Sequence, residues 1–260
     1  MIHLYHFITV AAVLCEAAVV LMTGLLMSLG LPAGWAAALF VLATVVTFAG
    51  AVMSAVGMHQ KQVNILVQQL DPARFIQVYE PLLPKAAKQP AQLLTMHAYL
   101  STAYANLGQY DKALKLLDAC PAVAPADRPR AEALLLGNRC LIHFQQGDAE
   151  RALDCLTRLE GRIKADPTLG EDVVLSARLL RIRADALKGW TNDLEWMRRH
   201  TAGVQPPFYA AADQQLLGQM LLAAGKPDEA RTVLEKAAAC GDTIWAGREA
   251  ARQLRSLGKG

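Results

Sequence analysis

The sequence predicts an all-α protein, with an N-terminal two-helix transmembrane hairpin followed by a short solenoid of stacked helix pairs. Three observations point there. Charge is absent from one end: of 260 residues 53% are apolar and 19% charged, against about 25% charged in an ordinary soluble domain. Residues 1–60 hold no Lys, Arg or Asp and a single Glu, so the remainder carries all 26 basic and 22 of the 23 acidic groups. Two apolar runs of membrane-spanning length lie inside that uncharged stretch. Beyond it the chain breaks into helical segments of about 12 to 18 residues separated by Gly, Pro and Asp, with few β-branched runs. This distribution argues against a single soluble globule, a secreted disulfide scaffold and a disordered chain.

The first run, Phe7 to Leu29, is about 34 Å long as a helix, enough for a hydrocarbon core of roughly 30 Å. The second begins at Trp35, and the uncharged turn Gly30-Leu31-Pro32-Ala33-Gly34 between them reverses the chain. Residues 1–58 are therefore expected to form two transmembrane helices, about 7–29 and 35–57. A signal peptide fits poorly, because no cation precedes the run, the run is too long and a second comes directly after it. A buried soluble hairpin fits poorly too, since neither run has a polar face. Lys61, Arg74, Lys85 and Lys88 lie beyond the second helix, which predicts a multi-pass cell-membrane protein with its N-terminus and its soluble region in the cytoplasm.

Glu16 is the one costly residue in the hairpin, at about 2.5–3.5 kcal/mol for an acid at mid-helix. Eleven Leu, Ile, Val and Phe residues in the same helix return about 0.3–0.6 kcal/mol each, so insertion still wins. Folding the hairpin about Pro32 brings Glu16 nearest to Thr47, the expected hydrogen-bond partner. An intramembrane acid is also a candidate contact to a partner helix, and the small residues Gly50, Ser54 and Gly57 would allow close helix approach.

Residues 59–92 read as a jointed helical connector: Asp71-Pro72 starts a helix, and Pro81, Pro84 and Pro90 interrupt the remainder of the segment. In residues 93–260 an internal pattern recurs. Asn106-Leu107-Gly108, Gln145-Gln146-Gly147 and Ala223-Ala224-Gly225 each end one helix, and Ala113, Ala152 and Ala230 stand five residues after the glycine. Gly lets the chain leave the first helix, and Ala lets the second pack closely. The spacing from Gly147 to Gly225 leaves room for a degenerate pair around 171–200, with a short second helix ending near Arg199. Thr243–Leu257 reads as a closing helix, with Trp245 and Ala250 inward.

These residues resemble the tetratricopeptide repeat. Residues 94–127 match it through Leu100, Ser101, Tyr104, Gly108, Tyr110, Ala113 and Pro125, with His97 and Leu117 at its aromatic positions. Residues 133–166 match through Cys140, Gly147 and Ala152, and residues 211–244 through Leu217, Gly218, Gly225, Ala230, Leu234 and Ala237. The resemblance implies a right-handed stack of about four helix pairs and, from the frequency of such anchored proteins, a bacterial source. It also implies a peptide groove on the first helices, formed here by Tyr99, Thr102, Asn106, Asn138, Leu141, Gln145, Gln215 and Gln219. These side chains are mostly neutral, unlike the cations with which some members grip a carboxylate terminus.

Other constellations read as structural. The five cysteines, at 15, 120, 140, 155 and 240, lack ligand spacing, and no second ligand accompanies His97 or His143, so no metal site is expected. Arg178, Arg181 and Arg183 form a candidate basic patch, but Asp185 stands nearby and residues 61–260 carry a net charge of only +4, which disfavours nucleic acid. No nucleophile motif, phosphate loop or cofactor motif is present. The expected function is a membrane-anchored, cytoplasm-facing scaffold that is not an enzyme and needs no cofactor, binding a protein or peptide partner. The alternative is a regulatory or assembly subunit of a membrane enzyme or transporter, acting through the hairpin. If Glu16 only bonds Thr47, Glu16→Gln leaves assembly unchanged in a pull-down from membranes; loss of a co-purifying membrane protein contradicts this.

Overall fold

The computed structural model describes residues 17, 19–24, 28, 32–204 and 206–258, and all regular structure among them is helical. The chain divides into two compact units, Met1–Lys61 and Gln62–Gly260.

The first unit contains most of α1, Ala33–Val67, a helix of 35 residues whose residues 62–67 belong to the second unit. Its large apolar side chains Trp35, Val41, Leu42, Val45 and Val46 are between 58% and 67% exposed. Residues 17, 19–24 and 28 are helical; the rest of the expected first span, with Glu16, lies outside the described residues. Thr47 is half-buried on α1, and the surroundings of Gly50 and Ser54 are likewise not described. Among the described residues no helix is long and apolar enough to cross a membrane. The expected two-span hairpin is therefore unsupported by the structure and rests on the sequence alone.

In the second unit α1 ends where Leu70 adopts a φ of +55°. Asp71 then caps α2 (Pro72–Tyr79) by accepting the Arg74 amide at 2.9 Å. A 3-10 turn at Glu80–Leu82 and the short α3 (Leu83–Ala86) come next, broken by Pro81 and Pro84. These joints are packed. Val63, Leu66, Phe75 and Tyr79 form one core with Met96, Leu100 and Ala103 of α4.

The rest of the described chain forms four helix pairs: α4 (Pro90–Asn106) with α5 (Tyr110–Asp118), α6 (Arg128–Gln146) with α7 (Ala149–Ala165), α8 (Glu171–Leu187) with α9 (Leu194–Gly203), and α10 (Pro207–Ala223) with α11 (Pro227–Ala238). Each first helix ends in the same way. Gly108, Gly147, Gly189 and Gly225 have φ between +70° and +85°. The residue after each glycine donates its amide back across the last turn, at 2.9–3.0 Å: Gln109 to Tyr104, Asp148 to His143, Trp190 to Asp185 and Lys226 to Leu221. This is the glycine-dependent closure that satisfies otherwise orphaned carbonyls. The third pair shares this closure, although its two helices pack less closely than those of the other three pairs and the second is only 10 residues long. Ala113, Ala152 and Ala230 are fully buried, and the first helices stack in the order α4, α6, α8, α10.

The closing helix α12, Trp245–Leu257, packs on α10 and α11 as the sequence predicts. It also reaches the far end of the stack. Thr243 Oγ1 donates to the carbonyl of Leu70 at 2.6 Å, and the Trp245 amide donates to Asn106 Oδ1 at 2.9 Å. Phe208 of α10 joins the core built from residues 63–103. The ends of the stack therefore meet.

Two glycines set the closeness of this packing. A Cβ on Gly218 would stand 2.5 Å from the Leu234 side chain, and one on Gly247 would stand 1.9 Å from the carbonyl oxygen of Gly241. Leu234 can move, whereas the Gly241 backbone cannot. Gly218→Ala should cost about 1–3 kcal/mol, or about 2–4 °C per kcal/mol in the melting point of the full chain. Gly247→Ala should lower it further by unseating α12. A wild-type melting point for Gly247→Ala contradicts this packing.

Candidate functional site

The first helices of the four pairs surround a cavity of about 400 Å³. From α4 it is lined by Thr95, Ala98, Tyr99 and Thr102; from α6 by Leu134, Gly137, Asn138 and Leu141; from α8 by Asp172, Val173, Ser176 and Leu180; and from α10 by Phe208, Tyr209 and Ala212. Leu66 and Val67, at the end of α1, complete the wall. Each contribution reflects helical spacing, since residues three or four apart share a face. The cavity exists because α10 meets the residues around α4.

Four of the eight expected groove residues, Tyr99, Thr102, Asn138 and Leu141, line this cavity. The other four do not. Gln145 and Gln219 are half-buried outside it. Asn106 and Gln215 were expected to be exposed, but they are 2% and 0% exposed. Asn106 receives the Trp245 amide on its side chain and the Arg248 guanidinium on its carbonyl, and its own amide donates to Thr102 O at 2.8 Å. Gln215 Oε1 accepts from Arg183 Nη1 at 3.0 Å. α12 and its partners thus cover Asn106 and Gln215, two of the residues expected in the groove.

The expected basic patch does not assemble as a patch. Arg178 pairs with Asp193 at 2.8 Å and lies 3.8 Å from the Trp196 ring centroid. Arg181 donates to both carboxylate oxygens of Glu160, at 2.9 and 2.7 Å. Arg183 is buried, and its guanidinium stands 5.1 Å from the Trp245 ring. Burial draws the Arg183 guanidinium down to about 10, opposed by Asp213 and Glu249, so it stays charged at neutral pH. Beside it His200 Nε2 lies 3.2 Å from Asp213 Oδ2, and Trp196 stacks on the His200 ring at 4.8 Å. Burial raises the Asp213 carboxyl, against the pull of His200 and Arg183.

The remaining reactive side chains are packed. Cys120, Cys140, Cys155 and Cys240 are free thiols, and burial raises that of Cys140 to about 12. Cys15 lies outside the described residues. His97 Nδ1 meets the Leu116 carbonyl at 2.8 Å, and His143 is buried. Among the described residues no cluster of His, Cys, Asp or Glu could hold a metal ion. What the arrangement offers chemically is a mostly apolar wall with a few polar groups, among them Thr102, Asn138 and Ser176.

Sequence reasoning missed the Arg183–Gln215 contact and the Asp213–His200 pair, which join separate helices, and no local pattern marks them. Phe208-Tyr209 carried a signal: an aromatic pair directly after Pro206-Pro207 sits on the first turn of a helix. Compared with known proteins, the chain matches no family model, no curated protein and no solved structure.

The three arginines should differ sharply on truncation. Arg178→Ala removes an exposed pair and should cost at most about 1 kcal/mol. Arg183→Ala leaves Gln215 Oε1 buried without its donor and should cost about 1–3 kcal/mol. Denaturant unfolding of both variants checks the order, and equal losses contradict it.

Proposed function

We propose that the protein is a membrane-anchored scaffold, related in design to the tetratricopeptide repeat, that captures a protein partner at the cavity between its first helices. The observation that carries this reading is the cavity itself. Concave sites of about 300–1,000 Å³ with an apolar wall and a few polar groups are where proteins bind their ligands, and Tyr99, Thr102, Asn138 and Leu141 converge on this one from two helices. The four glycine-capped pairs and the buried alanines that come after three of the caps support the repeat relationship.

Membrane attachment is supported by the uncharged first sixty residues and by the exposed Val41, Leu42, Val45 and Val46, an apolar surface that water disfavours. In this reading the spans are residues 7–29 and 35–57, and the N-terminus and the second unit face the cytoplasm. Tethering raises the local concentration of the scaffold for partners in the same membrane.

Carbonate washing of membranes should leave the full chain in the pellet; release into the supernatant contradicts the anchor. Chemical crosslinking in the same membranes should give a discrete adduct that disappears in Leu141→Arg, which places a charge in the cavity. An undiminished adduct contradicts capture at this site.

A further inference from the structure

We propose that the occupant of the cavity is an amphipathic α-helix of the partner protein, which inserts one or two large uncharged apolar side chains beside α12. This rests on the reading that the cavity captures a protein.

Much of the polar wall is already hydrogen-bonded within the protein. Thr95 Oγ1 donates to Ala91 O at 3.1 Å and Asn138 Nδ2 to Leu134 O at 2.9 Å. The Thr102 hydroxyl lies 3.0 Å from Ala98 O and 3.2 Å from Asn138 Oδ1. These groups are turned back on their own or a neighbouring helix. An extended peptide brings one N–H and one C=O per residue, and the Ser176 and Tyr209 hydroxyls in the lining are too few to replace their bonds to water. A helix arrives with its backbone already bonded internally.

The wall is also nearly uncharged. Among the described residues Asp172 is the one ionised side chain in the lining, and Arg130 neutralises it at 2.6 Å. A charged anchor would be buried without a counter-ion, which is costly. The volume, about 400 Å³, lies at the low end for ligand sites and suits side chains rather than a domain. Leu134 and Tyr209 are exposed at its lip.

The cavity is continuous with a helix interface already present. On α4, Thr102 lines the cavity and Asn106, one turn further, holds the Trp245 amide of α12. On α8 the same step leads from Leu180 to Arg183 beneath the Trp245 ring, and on α10 from Ala212 to Gln215, the partner of Arg183. One half of a single floor seats a helix, and the other half is open.

The test places a benzophenone amino acid at Leu134 and, separately, at Tyr209 of the full chain in its native membrane, with Lys164 on the exposed end of α7 as control. After irradiation the crosslinked residue is mapped by mass spectrometry. The proposal expects adducts from both lip positions on a Leu, Phe, Trp or Met of one partner protein. Adducts should be absent from Lys164, lost when Gly137→Leu fills the cavity, and lost when Pro but not Ala is placed two residues from the mapped position. A Cβ on Gly137 has its nearest neighbours at 3.8 and 3.9 Å, so a side chain can start there, and an unchanged circular dichroism spectrum of Gly137→Leu is the control for folding. Adducts on an extended segment or a charged residue, or adducts indifferent to Pro, overturn the helix and leave protein capture standing. Lipid adducts alone, or none, overturn both.

Discussion

The N-terminal amides of α12 set the constraint on which the second unit depends. A helix begins with donors that have no partner inside the helix, and Ile244, which precedes α12, has no side-chain oxygen to supply one. The amide of Trp245 is instead satisfied by Asn106, 139 residues earlier, while Arg248 binds the carbonyl of the same residue. Thr243 makes a similar bond to Leu70. Joining positions so far apart is entropically costly, but the cost grows only slowly with the length of the loop. Burial of Ala211, Ile244 and Ala246, with Leu70 and Phe208 packed against them, offsets it.

Closure changes what the repeat can do. An open stack would present its first helices along their full length, and a peptide could run across all of them. With the ends joined, α12 sits against Asn106 and Arg183, so polar residues that would read as ligand contacts become structural. Asn106 and Gln215 then hold the chain together. The preceding turns of these helices stay uncovered and, because α10 meets the residues around α4, they line a partly open cavity. The same contact that removes half of the groove shapes the other half.

What the sequence revealed and what it hid divide by range. The glycine closures after Asn106, Gln146 and Ala224 were legible because a left-handed residue at the end of a helix favours glycine. The short second helix of the third pair was expected to end near Arg199 and ends at Gly203, since the flanking glycine spacings bound it. Partners distant in sequence were not legible. Asp185, one turn from Arg181, suggested a local balance of charge, whereas Arg181 binds Glu160 on the preceding helix. Arg183, two residues on, points to a different neighbour. Helical periodicity tells which face a residue occupies, but not which helix will cover that face. For that reason the spacing put Tyr99, Thr102, Asn138 and Leu141 on faces that line one cavity, while the covering of Asn106 and Gln215 was not foreseen.

Amide hydrogen exchange at Trp245, resolved to the single residue, tests the closure most directly. The first amide of a helix exchanges rapidly unless something outside the helix accepts it. The account predicts slow exchange at Trp245 in the full chain. It also predicts rapid exchange there in Asn106→Ala, while the central amides of α10 and α11 keep their protection. Rapid exchange at Trp245 in the unaltered protein would show that the ends of the stack do not meet.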